Sequence, residues 1–307
     1  MRKIIGIGET ILDITIKGNK PLSCNAGGSV FNTLSALGRV GLNPIYITEM
    51  GKDRVGDMLL GAMRENGIDT RFIYHFEEGN SPISLAFLDD KNNASYQFFL
   101  KYPEKRLQVE FPDFNENDIL VIASYYCISP DVRGRIKELI EKAKRGKALI
   151  FYDINFRRGH LGMLEKVRPF IEENMASADI VRGSDEDFKL IYSQEDFRTL
   201  YREHLSSLCP YVFCTRGENG VELSTPSLER HFEAKKIIPI STIGAGDNFN
   251  AGILYSILKQ NIGREQLHIL EEESWKAMVQ KGIDFSTSAC MNLENYISKE
   301  FAQRERI

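Results

Sequence analysis

Residues 241–252 read Ser-Thr-Ile-Gly-Ala-Gly-Asp-Asn-Phe-Asn-Ala-Gly, and the reading of this stretch decides how the rest of the chain is understood. Gly244 and Gly246 let the backbone turn tightly with successive amide hydrogens facing one point. Phe249, Ile253, Leu254, Ile257 and Leu258 then recur at helical spacing. The combination predicts a loop at a helix N-terminus, where unpaired N–H groups and the positive end of the helix dipole favour an anion. A carboxylate there repels a phosphate unless it has a task of its own, and accepting a hydroxyl proton is such a task for Asp247. In the plainer reading the glycines end a strand and Asp247 caps the helix.

Composition narrows the classes. With 307 residues the chain can bury a sizeable core, as one large α/β domain or two units. A formal charge of -4 with 27% charged residues shows no basic excess, so nucleic acid is not an expected partner. Met1-Arg-Lys-Ile-Ile-Gly runs straight into an apolar strand without a signal-peptide core, and no stretch reaches the roughly 18 apolar residues of a membrane span. The expectation is a cytoplasmic protein with no membrane partner. Cys24, Cys127, Cys209, Cys214 and Cys290 form no C-x-x-C pair and have no companion histidines, which argues against a disulfide framework or a zinc site.

Outward from the glycine loop, residues 3–8 read as a buried strand that brings Glu9 and Asp13 to its C-terminal end, the edge where ligands bind in open α/β sheets. Gly6-Ile-Gly8 lacks the third glycine of a dinucleotide fingerprint, and a second strand-like run, Ile11 to Ile16, follows it instead of a helix. Gly27-Gly28 precedes an apolar stripe, Val30, Leu34, Leu37 and Val40, that stops at Gly41. Asn32, one turn in, offers both donor and acceptor to a polyol. Residues 83–100 read as a hairpin turning at 89–93, which with strands in 11–27 would form a small separate sheet. From residue 119 a strand (119–123), a helix (131–144) and a strand (148–152) alternate as in a parallel sheet with crossover helices.

That second strand ends in Asp153-Ile-Asn155-Phe-Arg157, with alternate polar side chains at the sheet edge. Arg157 has the planar fork that holds phosphate or carboxylate, and one of Arg157 and Arg158 is expected to serve only a surface salt bridge. Residues 178–187 read as a strand followed by an acidic helix mouth, residues 212–223 as strand, tight turn and strand, and 286–290 as part of a small-residue helix. No Gly-x4-Gly-Lys-Ser/Thr is present, which argues against a P-loop.

The order of these motifs resembles the ribokinase-like (PfkB) carbohydrate kinases over residues 4 to about 290. Thr242-x-Gly-Ala-Gly-Asp247 is similar to the family's C-terminal signature. Gly8-Glu9-x-x-x-Asp13, Gly27-Gly28-x-x-x-Asn32, the run from Gly51 to Asp57 and Thr215-x-Gly217-x-x-Gly220 are similar to its other elements. Asp153-x-Asn155-x-Arg157 resembles the fructokinase and 2-keto-3-deoxygluconate kinase branch. The resemblance implies a mainly parallel central sheet flanked by helices, with residues 1–10, 28–82 and 105–307 as the core. Residues 11–27 and 83–104 would form a β-sheet lid over the sugar that also serves as a homodimer interface.

For the chemistry, the resemblance implies an ATP-dependent sugar kinase, with Asp247 as catalytic base and Gly244, Ala245, Gly246 and Arg157 stabilising the transferred group. Asp13, Gly27, Gly28, Asn32 and Asn155 would meet the sugar, and Ser184, Thr215, Gly217 and Gly220 the nucleotide. Asp187 would meet Mg2+ through water. The chain departs from the family where Ser184 and Asp187 replace an asparagine and a glutamate, and where Ser241 replaces an aspartate that helps to hold a monovalent cation. Serine lacks that charge, so the resemblance does not carry a potassium site over. Fructose is the favoured sugar, with a keto-deoxy sugar acid next because Arg157 can pair with its carboxylate; nucleosides fit less well. A sugar-binding regulatory protein without catalysis is the reading of another class.

Overall fold

Short apolar runs flanked by amphipathic ones fold into alternating strands and helices, described in the computed structural model for residues 2–89 and 94–306. β1 (Ile4–Ile7), β4 (Ile45–Gly51), β5 (Asp69–Phe76), β8 (Ile119–Ala123), β9 (Leu149–Asp153), β10 (Ile180–Ser184) and β11 (Val212–Thr215) pair in parallel, and β12 (Val221–Ser224) and β13 (Glu229–Phe232) add an antiparallel edge. The order across the sheet is β13-β12-β11-β10-β9-β8-β1-β4-β5. A second sheet, β3-β2-β6-β7, is built from β2 (Ile11–Lys17), β3 (Lys20–Gly27), β6 (Asn80–Leu88) and β7 (Ala94–Lys101). The fold class is therefore α/β with a mainly parallel sheet and a separate small one, as the sequence predicts.

The central strands alternate their side chains between two apolar layers. Leu149 and Phe151 of β9 face one core, and Ile150 and Tyr152 face the other. On the first face lie α1 (Ser29–Arg39), α8 (Ala245–Lys259) and α9 (Glu272–Cys290); on the second lie α3 (Arg133–Arg145), α4 (Leu164–Ser177) and α5 (Asp185–Tyr192). The Gly6-x-Gly8 pair serves this packing: a Cβ on Gly6 would lie 2.6 Å from Val30 and 2.9 Å from Leu34, so glycine lets α1 lie close on β1. Leu34 is fully buried there, and its truncation to alanine is expected to cost about 2–5 kcal/mol.

Element ends differ slightly from the sequence reading. β6 starts at Asn80, not residue 83; Pro82, which has no N–H for the ladder, and a register shift with β7 between Asn80 and Ile83 leave the regular pairing to begin at Ile83. The turn expected at 89–93 lies, beyond Asp89, outside the described residues. The helix expected from residue 131 starts at Arg133, after the Ser129–Val132 turn. No helix among the described residues is long and apolar enough to cross a membrane.

Candidate active site

The C-terminal ends of β1, β9, β10 and β11 and the N-termini of α1 and α8 meet at one place on the α8 side of the sheet. Gly244 stands at the N-cap of α8 with φ 77, and a Cβ there would lie 2.1 Å from the Asn295 carbonyl oxygen, so only glycine fits. Asn248 fixes the loop from behind. Its amide donates to the Gly244 and Asn295 carbonyls at 2.7 and 2.9 Å, and its oxygen accepts from the Ile297 N–H at 3.0 Å.

Asp247 lies in the first turn of α8, buried, with both carboxylate oxygens held by α1. The Ser29 hydroxyl donates to Oδ1 at 2.7 Å and the Asn32 amide to Oδ2 at 2.8 Å, while the Thr33 hydroxyl bonds the Asp247 carbonyl at 2.9 Å. Asp247 does not cap its helix; Gly244 occupies that position. Burial pushes its carboxyl up to about 6, with the Asn32 amide opposing, the Asp153 charge adding, and Ser29 and Arg157 opposing. A carboxylate with that value is ionised at neutral pH yet basic enough to take a proton.

Asn32 thus spends its amide on Asp247, and its Oδ1 is buried with no partner among the described residues. Asp13 lies on β2 opposite Ser84 and Asn25. Its carboxyl is raised by burial, with Ser84 and the Arg157 charge opposing. Arg157 therefore lies within electrostatic reach of both Asp13 and Asp247, while its neighbour Arg158 pairs with Glu186 at 3.3 Å as a surface bridge. Asn155 has φ 38, a conformation that asparagine tolerates. Gly27 abuts Asp13, and Gly28, with φ 129, abuts the Glu9 carbonyl.

On the other side, Ser184 and Asp187 form a capping box at α5. Asp187 Oδ2 accepts from the Ser184 N–H and hydroxyl, each at 2.7 Å, and Oδ1 accepts from the Phe156 N–H at 2.6 Å. Protein donors therefore hold both of its oxygens. No group of three or more His, Cys, Asp or Glu side chains among the described residues is arranged to hold a metal ion. Thr215 ends β11, and Gly217 (φ 55) and Gly220 (φ 86) make the turn into β12. The Ser241 hydroxyl accepts from the Ile243 N–H at 3.2 Å.

Beneath the glycine loop, Thr215, expected at the nucleotide, joins two side chains that the sequence reading did not count as site residues, Asp153 and Arg182. Asp153, Arg182 and Thr215 stand on adjacent strands, all on the α8 face, with Arg182 in register with Asp153. Arg182 Nη1 donates to Asp153 Oδ1 at 3.0 Å, Arg182 Nη2 donates to the Thr215 hydroxyl, and Asn250 of α8 donates to Asp153 Oδ2 at 2.7 Å. Burial disfavours the guanidinium charge, but Asp153, Asp187 and Asp247 outweigh it and raise its pKa above the ordinary value. Ser29 was missed as well. The available signal was a charge, Arg182, in the interior of the apolar run 178–183.

Known proteins resemble this chain in sequence and in fold. Over 279 residues the chain is 27% identical to a fructokinase of Rhizobium leguminosarum bv. trifolii, covering 88% of this chain and 85% of the relative. It is 25% identical over 280 residues to a 2-dehydro-3-deoxygluconokinase of Haemophilus influenzae, covering 84% and 88%. The fold superposes with a TM-score of 0.82 on aminoimidazole riboside kinase from Salmonella enterica, solved with aminoimidazole riboside and an ATP analogue, at 19% identity and over 99% and 98% of the two chains. Residues 1–289 match the pattern described as pfkB family carbohydrate kinase, and with that span matched the chain belongs to this family of sugar kinases.

Proposed function

We propose that the protein transfers the γ-phosphoryl group of magnesium-ATP to a hydroxyl of fructose. The observation that carries this reading is Asp247, a buried carboxylate held by two donors in the first turn of α8, beside its glycine loop and within reach of the Arg157 charge. The sugar hydroxyl would give its proton to Asp247 as its oxygen bonds to the γ-phosphorus, and the bond from that phosphorus to the bridging oxygen would break to leave ADP. The 244–246 amides and Arg157 would stabilise charge on the group in transit. Magnesium enters with the nucleotide, in keeping with its preference for phosphate oxygens and water.

Asp13, Gly27, Gly28, Asn32 and Asn155 would line the sugar side, where the unpartnered Asn32 Oδ1 offers an acceptor to a hydroxyl. Ser184, Thr215, Gly217 and Gly220 would border the nucleotide. The exposed side chains Ile238, Ile240, Ile243, Met291 and Leu293 beside the loop give an apolar surface suited to a nucleobase. The small sheet would act as a lid that excludes water and, through its exposed Leu22, Tyr96, Phe98 and Leu100, as the interface of a homodimer in the cytoplasm. A keto-deoxy sugar acid is the second reading, favoured by Arg157. Its guanidinium is exposed and has no hydrogen bond among the described residues.

The test is ADP release with magnesium-ATP against fructose, 2-keto-3-deoxygluconate, ribose, tagatose 6-phosphate and adenosine, with and without potassium. Turnover on fructose supports the first reading and turnover on the sugar acid the second. Asp247→Asn should lower kcat by about two orders of magnitude or more with little change in KM for the sugar. Sugar-dependent thermal stabilisation without turnover on any of the five would replace the kinase reading with a binding protein.

A further inference from the structure

We propose that Arg182 is a catalytic residue that contacts the terminal phosphate of the nucleotide from beneath the 244–247 loop, an inference that rests on the kinase reading above. Arg182 is the third residue of β10, on the same face as Ile180, and this places its guanidinium under the first turn of α8. A Cβ on Gly246 would lie 2.7 Å from Nη2, 2.9 Å from Nη1 and 3.0 Å from Cζ. The guanidinium therefore lies against the backbone of the residue before Asp247. Any group held by the loop amides within reach of Asp247 is close to it.

The donor count points the same way. A guanidinium carries five N–H bonds, and here Asp153 takes one and Thr215 another. Nε is buried and has no partner among the described residues. A buried donor without an acceptor costs about 1–3 kcal/mol, which an acceptor brought in by a ligand would remove; Arg133 has an unpartnered Nε too, so it is the position against Gly246 that singles Arg182 out. A phosphoryl group has three acceptor oxygens and gains negative charge on them as the bond to the leaving group lengthens. Asp153, held on its other oxygen by Asn250, fixes the fork without consuming it. Arg157, by contrast, is exposed and lies within electrostatic reach of Asp13 as well as of Asp247.

The rival is a structural ion pair with Asp153, and nucleotide binding separates the two. Magnesium-ADP and the magnesium salt of a non-hydrolysable ATP analogue would be titrated calorimetrically into the wild type, Asp153→Asn, and the double variant Asp153→Asn/Arg182→Gln, which removes both charges together. The expected result is a loss of analogue affinity in the double variant about tenfold greater than its loss of ADP affinity, with both losses similar in Asp153→Asn, on the scale of a charged hydrogen bond. Equal losses for both nucleotides, or none, would overturn the proposal and leave the kinase reading standing. A wild type that binds neither nucleotide overturns both. Should the double variant fail to fold, Arg182→Lys keeps the charge against Asp153 and loses the fork. It should lower kcat about tenfold or more with the KM for the sugar unchanged, and an unchanged kcat counts against the proposal.

Discussion

Replacing Ser29 by alanine removes the hydroxyl that donates to Asp247 Oδ1 at 2.7 Å and leaves the Asn32 contact in place. The donor stabilises the ionised carboxylate, so its loss raises a carboxyl that already titrates near 6. A hydrogen bond to a charged group contributes about 1.5–3 kcal/mol, and one pKa unit corresponds to about 1.4 kcal/mol. Taking the lower end, the acid limb of the kcat/KM profile, which reports the free enzyme, should move up by about one unit. The ionised share at pH 6 then falls from about half to about a tenth, which lowers kcat/KM about fivefold there, while at pH 8.5 both enzymes remain ionised and equal. The assay is ADP release at sugar concentrations well below KM from pH 5 to 9. A limb that stays in place, or a drop of the same size at every pH, refutes the assignment of Asp247 as the titrating base.

The other predictions concern the framework. Gly244→Ala forces alanine to φ 77 and places its Cβ 2.1 Å from the Asn295 carbonyl, so thermal melting should show a loss of about 2 kcal/mol or more and turnover should collapse. Asp187→Ala breaks the capping box and orphans the Phe156 N–H. Urea titration should report about 1–3 kcal/mol of lost stability, and a value near zero would show that the cap is unimportant. Phe98→Lys puts a charge on the exposed aromatic face of the small sheet, where Phe98 stacks on Tyr96. Sedimentation should show a dimeric wild type and a monomeric variant, and two monomers would dismiss the lid interface.

Much of the fold was legible because each layer writes its own period. The run 119–123 had to be buried on both faces, the stripe Val30, Leu34, Leu37 could only be a helix, and both stand where expected. The loop at 244–247 was legible because glycine and aspartate in that order have few uses before an apolar helix. Less visible was what each side chain touches. Asn32 was expected to meet a ligand, yet its amide holds Asp247, a contact across 215 positions that no local pattern encodes. Ser184 and Asp187 looked like substitutions at a ligand site, and they satisfy one another in a cap. Arg182 was hidden for a related reason, since its meaning depends on the strands on either side of it.

The division between the two sheets has an evolutionary consequence. Ser29 and Asn32 are hydrogen-bonded to Asp247, and Asn250 and Arg182 to Asp153 with Thr215 beyond, so a change at any one disturbs its neighbours. The four-stranded sheet has many exposed side chains and fewer such ties, and surface substitutions there are usually worth within about 0.5 kcal/mol. With the small sheet as the proposed lid, new sugar preferences can be explored at exposed positions of β2, β3, β6 and β7 at small risk to folding, while the core around Asp247 is left unchanged. On that proposal the scaffold diversifies by redecorating its cover and leaving its engine alone.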